Sequence, residues 1–169
     1  LSASGPYFGN LMRPLDRQEP RKIAWLQCVG SRDMNRCHNA HCSSVCCMYA
    51  IKEAVIAKEH ATGELDCAVF YMDMRTYGKE FERYYDHARD EEGVRFIRSR
   101  VHTIVEDPET GDLSLSFVND QGQMSTETFD MVVLSVGLET DPQCMELARK
   151  LGVELTEGNF CKTTSFAPI

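Results

Sequence analysis

Apolar and polar residues fall into blocks whose period changes near residue 100. Ile23-Ala24-Trp25-Leu26-Gln27-Cys28-Val29-Gly30 is a nearly continuous apolar run ending at glycine. That is the pattern of a strand buried on both faces of a parallel sheet. Polar residues 31–43 form a connecting loop. Ser43 or Ser44 then offers an N-cap for a helix running to about His60, with Cys47, Met48, Ile51, Ala54 and Val55 on its inward face. Thr62-Gly63 ends it, and Asp66 to Asp73 reads as a second strand. Gly78 to Glu92 is expected to be a second helix closed by Gly93, and Val94 to Arg98 a third short strand. The order β-α-β-α-β implies right-handed crossovers and a parallel sheet.

Beyond this point the period is two. Val101–Glu106, Leu113–Asn119 and Met124–Phe129 alternate apolar and polar residues, with turns at Asp107–Asp112 and Asp120-Gln121-Gly122. Such segments make an antiparallel meander with one wet face. Met131 to Gly137 is a buried strand returning to the sheet. Asp141 and Pro142 open a helix carrying Cys144, Leu147, Ala148 and Leu151 on one face. The fold class is therefore α/β: a Rossmann-like parallel sheet with flanking helices and a three-stranded antiparallel meander. Residues 1–20, with Pro6, Pro14 and Pro20, read as an extended lead-in to one domain over 21–169. Thr163 to Ile169 shows neither a capped helix nor a polar tail, and Leu1 is not an initiator methionine. The chain is expected to be a piece of a larger protein.

Composition adds limits. With 43% apolar and 26% charged residues the chain is ordinary for a globular domain. A net charge of −8 without a basic run gives nucleic-acid binding no electrostatic support. No apolar run approaches the roughly 18 residues of a membrane span. The distinctive feature is cysteine: five of the eight lie between Cys28 and Cys47. Clustered thiols in an α/β chain point to metal or redox chemistry in a cytoplasmic setting rather than to a disulfide framework.

The position of these thiols is informative. A Rossmann phosphate site needs G-x-G-x-x-G directly after the first strand. Here the strand ends Cys28-Val29-Gly30-Ser31-Arg32-Asp33, and the next glycine is Gly63. Ordinary NAD(P)H binding is not expected at this place. Asp73, near the end of the second strand, is either a mimic of the ribose-binding acid or a solvated strand end. Cys28 at the strand end and Cys42, Cys46 and Cys47 at the helix start converge where α/β sheets bind ligands. A helix N-terminus lowers thiol pKa and favours anions. Cys46 and Cys47 are about 100° apart around the helix, which suits two corners of one cluster. Four thiolates match a [4Fe–4S] centre, and Arg32 and Arg36 are placed to offset its charge. Other readings stay open: a dithiol of Cys42 and Cys46, or zinc drawn from Cys37, His38 and His41. The cluster is favoured, with Cys37 a spare thiol and the two histidines solvated. Cys67 and Cys144 read as small buried hydrophobes; Cys161 has no evident role.

The block from Ile23 to Asp33 and the block Cys42-Ser43-Ser44-Val45-Cys46-Cys47-Met48-Tyr49-Ala50-Ile51-Lys52-Glu53-Ala54 resemble the heterodisulfide reductase family, in its A subunit. Asp130 to Leu138 resembles the strand that closes the pyridine-nucleotide domain of thioredoxin-reductase-like flavoproteins. The resemblance implies a flavin- and iron–sulfur-containing electron-transfer protein. In that family Cys28, Cys42, Cys46 and Cys47 match the cluster ligands, FAD is bound by another half that these residues do not include, and the partners are other redox subunits. The isolated piece would catalyse nothing by itself.

Overall fold

The computed structural model describes residues 1–164; residues 165–169, the close of the stretch read as lacking a capped helix, lie outside the described residues. The elements in order are β1 (Lys22–Val29), α1 (Cys46–His60), β2 (Asp66–Phe70), α2 (Phe81–Asp90), β3 (Arg95–Ile97), β4 (Thr103–Glu106), β5 (Leu113–Val118), β6 (Met124–Phe129), β7 (Met131–Val136) and α3 (Pro142–Leu151). They group into two units. One comprises Leu1–Val29 with Ser44–Ser135, the other Gly30–Ser43 with the chain from Val136 onward.

In the first unit a four-stranded sheet has the order β3-β2-β1-β7, with β1 parallel to β2 and β2 parallel to β3. The second sheet is the antiparallel meander β4-β5-β6. Because β1 is apolar on both faces, it serves two cores. Ile23 and Trp25, with Cys67 and Val69 of β2, pack under α1 against Ile51, Ala54 and Val55. Ala24 and Leu26, with Ala68 and Phe70, pack on Leu115, Phe117 and Phe129 of the meander. Burying a Val, Leu, Ile or Phe side chain contributes about 1.5–3 kcal/mol relative to exposure. Two-sided burial therefore fixes the register of β1 and the position of its last residues.

At the opposite end of the strands a charged network ties both sheets together. The Arg95 guanidinium donates to Asp66 Oδ1 and Oδ2, both at 2.8 Å, and to Glu127 Oε1 at 2.7 Å. Lys22 Nζ meets the same Glu127 oxygen at 2.8 Å. One arginine thus spans β2, β3 and β6. No helix among the described residues is long and apolar enough to cross a membrane.

The expected fold class is present, and the differences are local. Helix α1 begins at Cys46 with Val45 at the N-cap and no side-chain cap, so neither Ser43 nor Ser44 fills that role. Ser44 instead has φ 62°, and the Ser43 hydroxyl accepts from Leu138 N at 3.2 Å. Helix α2 begins at Phe81, behind a left-handed Glu80. Helix α3 has the expected Asp141 cap, whose carboxylate accepts from Gln143 N at 2.7 Å. Its apolar face is not covered as expected: only Ala148 is buried, and Leu147 and Leu151 are 55% and 69% exposed.

Candidate functional site

The last residues of β1 and the first of α1 bring three thiols together. Cys28, Cys46 and Cys47 are each only 4% exposed. Cys46 lies within hydrogen-bonding reach of both other sulfurs. Donation from the Cys28 thiol, then from Cys47, holds the Cys46 pKa far below the ordinary thiol value, and the Cys28 backbone N–H acts in the same direction. The bond to Cys46 and burial push Cys47 upward. The group therefore favours one thiolate stabilised by two neighbours.

Backbone geometry makes this contact possible. Cys28 has φ 60°, in the left-handed region that glycine prefers, although it lies within β1. A non-glycine residue held there costs about 1–3 kcal/mol and persists only where its surroundings enforce it. The N-terminus of α1, which has no side-chain cap, places its first N–H groups and positive dipole end at Cys46 and Cys47. The turn after β2 closes over the group from another side. Cys47 Sγ donates to Asp73 O at 3.9 Å, and the Arg75 backbone N–H donates to Cys47 Sγ.

Cys42 belongs to the second unit, where the 30–43 loop is extensively tied. Asp33 and Asn39 exchange backbone hydrogen bonds of 2.7 and 3.2 Å, and the Asn39 side chain donates to Gly30 O at 3.1 Å. Leu138 anchors both residues flanking Cys42: its N–H donates to Ser43 Oγ, and its carbonyl accepts from His41 Nε2 at 2.9 Å. Gly137 lies at a close approach, where a Cβ would stand 3.0 Å from Ser31 Cβ and 3.2 Å from Gly30 O, tighter than ordinary packing. Cys42 itself is half-buried.

His41 is thus a structural residue rather than a solvated one, and it also packs edge-on against Phe160 with ring centroids 4.9 Å apart. Cys37 and His38 are exposed. Among the described residues no group of three or more His, Cys, Asp and Glu forms a ready-made metal cage, neither the Cys37, His38 and His41 set nor the four cysteines. Cys67 is fully buried, as expected, and burial pushes its thiol up to about 12. Cys144 is exposed on α3, contrary to the expectation of a buried hydrophobe, because among the described residues that helix buries only Ala148. Cys161 is also exposed. Asp73 lies beyond the end of β2 and binds the Arg75 guanidinium through two contacts of 3.1 Å. Arg75 was not among the residues the sequence pointed to. Its proximity to Cys47 follows from the β1–β2 pairing and has no local signal.

No family model matches the chain. Among curated proteins, the A subunit of the H(2)/formate:CoB-CoM heterodisulfide,ferredoxin reductase of Methanococcus maripaludis is 40% identical over 163 residues, covering 96% of this chain and 24% of the relative. An iron-sulfur A subunit of the CoB–CoM heterodisulfide reductase of Methanopyrus kandleri is 45% identical over 139 residues, 82% of this chain and 21% of the relative. Among solved structures, Lactococcus lactis thioredoxin reductase superposes with a TM-score of 0.54 at 17% identity, over 93% of this chain and 41% of that one. Thioredoxin reductase of T. acidophilum gives 0.50 at 13%, over 89% and 41%. These two establish the Rossmann-like fold alone. By its identity to the curated relatives, of whose length it spans about a quarter, the chain belongs to the family of heterodisulfide reductase A subunits.

Proposed function

We propose that this chain is the electron-relay part of an FAD- and iron–sulfur-containing oxidoreductase of the heterodisulfide reductase type, with one [4Fe–4S] cluster held by Cys28, Cys42, Cys46 and Cys47. The observation that carries the reading is the convergence of the buried Cys28, Cys46 and Cys47 thiols at the start of α1. The chemistry of the donor set fits the group: cluster ligands are thiolates, and here one thiol is already held strongly acidic. A bound cluster would supply one-electron storage. The chain supplies everything else. Cys28 is presented by a strand locked on both faces, and Cys46 and Cys47 by the first turn of a 15-residue helix whose dipole favours an anion. Cys42 is the remaining ligand, four residues before Cys46 and steadied by the Leu138 anchors on its neighbours. No general acid, base or nucleophile is called for.

FAD belongs, in this reading, to the larger parent protein, since the chain spans about a quarter of the length of its curated relatives. The partners are other redox subunits, in keeping with relatives named as ferredoxin-linked reductases. Anaerobic reconstitution should give about four iron and four sulfide per chain with a reducible paramagnetic signal. Cys28→Ser, Cys42→Ser, Cys46→Ser or Cys47→Ser should lose or alter it, whereas Cys67→Ser and Cys144→Ser should keep it. Stoichiometric zinc without sulfide would sink the proposal. Loss of the cluster in Cys37→Ser but not in Cys28→Ser would overturn the ligand set.

A further inference from the structure

Of the four proposed ligands, Cys42 is placed differently from the other three. Cys28, Cys46 and Cys47 lie in the first unit, are each 4% exposed and are joined through Cys46. Cys42 lies in the second unit and is only half-buried. Within that unit both of its neighbours are gripped by one distant residue. Leu138 N donates to Ser43 Oγ at 3.2 Å, and His41 Nε2 donates to Leu138 O at 2.9 Å. Ser43 is 8% exposed, so its bond is sheltered from competing water. His41 is held from two further sides. Arg32 N donates to His41 O at 3.2 Å, and His41 N donates to Asn39 Oδ1 at 3.1 Å. The Leu155–Cys161 bridge and the 2.7 Å bond from Thr156 N to Phe160 O close a hairpin that sets Phe160 edge-on to the His41 ring.

We propose that Cys42 holds the exchangeable corner of the cluster, and that His41 and Ser43 are positioning residues that retain its iron by fastening Cys42 to Leu138. This rests on the cluster assignment above. In a cuboidal centre each cysteine binds one iron. Three thiols already gathered at one helix start therefore keep three irons when the fourth ligand is displaced. The displacement balances without electron transfer. The oxidised [4Fe–4S] centre releases one Fe(II) and leaves a [3Fe–4S] centre with two Fe(III) and one Fe(II), and the freed Cys42 thiolate takes a proton from water. Each bond of the clamp counts for about fivefold in that equilibrium.

The experiment follows iron release from the anaerobically reconstituted chain to an Fe(II) chelator. Ferricyanide then takes one electron from the [3Fe–4S] product, which makes it visible by electron paramagnetic resonance. Cys42→Ala should hold about three iron and four sulfide and show this signal, whereas Cys28→Ala, Cys46→Ala and Cys47→Ala should not accumulate it. His41→Leu and Ser43→Ala should each lose the first iron about fivefold faster than the unaltered chain and arrive at the Cys42→Ala spectrum. His41→Gln keeps an N–H donor and should return to within about twofold of the unaltered rate. The three-iron signal separates a displaced ligand from an unfolded chain, which retains no cluster. Unchanged release in both clamp variants, loss of the whole cluster in both, or the same signal from all four cysteine variants would overturn this inference and leave the cluster assignment standing. Failure of the unaltered chain to bind iron and sulfide would instead remove the assignment, and this inference with it.

Discussion

The meander and the helix-side core are two faces of one sheet, and the single tryptophan allows their coupling to be measured. Phe129 is fully buried on the meander side, with its ring 6.0 Å from that of Phe70 and Lys22 Nζ 5.0 Å from its centroid. Trp25 is 2% exposed on the opposite face, under α1, where its Nε1 donates to Glu53 Oε2 at 3.0 Å. Phe129→Ala removes a fully buried ring at a cost of about 3–5 kcal/mol, within which the lost aromatic pair counts for about 0.5–1.5 kcal/mol. With a urea dependence of about 2 kcal/mol/M the midpoint should fall by roughly 2 M. Equilibrium unfolding in urea followed by Trp25 fluorescence reads the face that the substitution does not touch. If both cores share β1 as one cooperative unit, the tryptophan transition moves by this full amount with its slope unchanged. If it stays in place while circular dichroism reports an earlier transition, the meander unfolds alone. The argument that two-sided burial fixes Cys28 would then fail.

Two further outcomes follow from the charges and the thiols. Burial pushes the Glu127 carboxyl upward, but Arg95 and Lys22 outweigh it and hold the group below its ordinary value. The stability it contributes is therefore present above its unfolded pKa and lost as pH falls through the depressed folded one. Glu127→Gln should flatten the acid limb of a stability–pH profile below about pH 4.5 and leave the neutral-to-basic limb unchanged in slope; an unaltered acid limb would show that the network is not formed. In the metal-free reduced chain, Cys37, Cys144 and Cys161 are exposed and should react with a chromogenic disulfide within the mixing phase. Cys28, Cys46, Cys47 and Cys67 are buried and should react at full rate only after denaturation, so fast labelling of Cys46 or Cys47 by mass spectrometry would contradict the site geometry.

The parts of this fold that were legible in sequence are those set by period and by near neighbours. The doubly apolar run of β1 foretold its two cores, the period-2 segments foretold the meander, and Asp141-Pro142 foretold the start of α3. What was not legible depended on distant partners. Ser43 resembles a cap, but Leu138 N, 95 residues away, takes its hydroxyl and α1 starts without one. His41 has the look of a solvated loop residue, yet the same Leu138 supplies a carbonyl for its ring nitrogen. The apolar stripe of α3 is real, but periodicity says which residues share a face and not whether anything covers it. Arg75 was invisible for a related reason. Nothing local distinguishes it from other surface arginines, and only the parallel pairing of β1 with β2 carries its turn to Cys47.

The left-handed backbone of Cys28 bears on why cysteine stands where a dinucleotide-binding relative of this fold would carry glycine. At φ 60° glycine would relieve the strain, and a strand end built only for stability would favour it. Cysteine there adds about 1 kcal/mol or more of backbone cost and buries a thiol within reach of other thiols. No nearby apolar demand explains it, since Leu26 and Trp25 already fill the two cores on either side of the strand. A buried, sulfur-contacting residue at the end of a parallel strand suits the role of cluster ligand proposed for Cys28. The helix start and strand end that commonly receive a phosphate in such sheets are retained here. The backbone glycines that would approach that phosphate are absent, and sulfur occupies the approach.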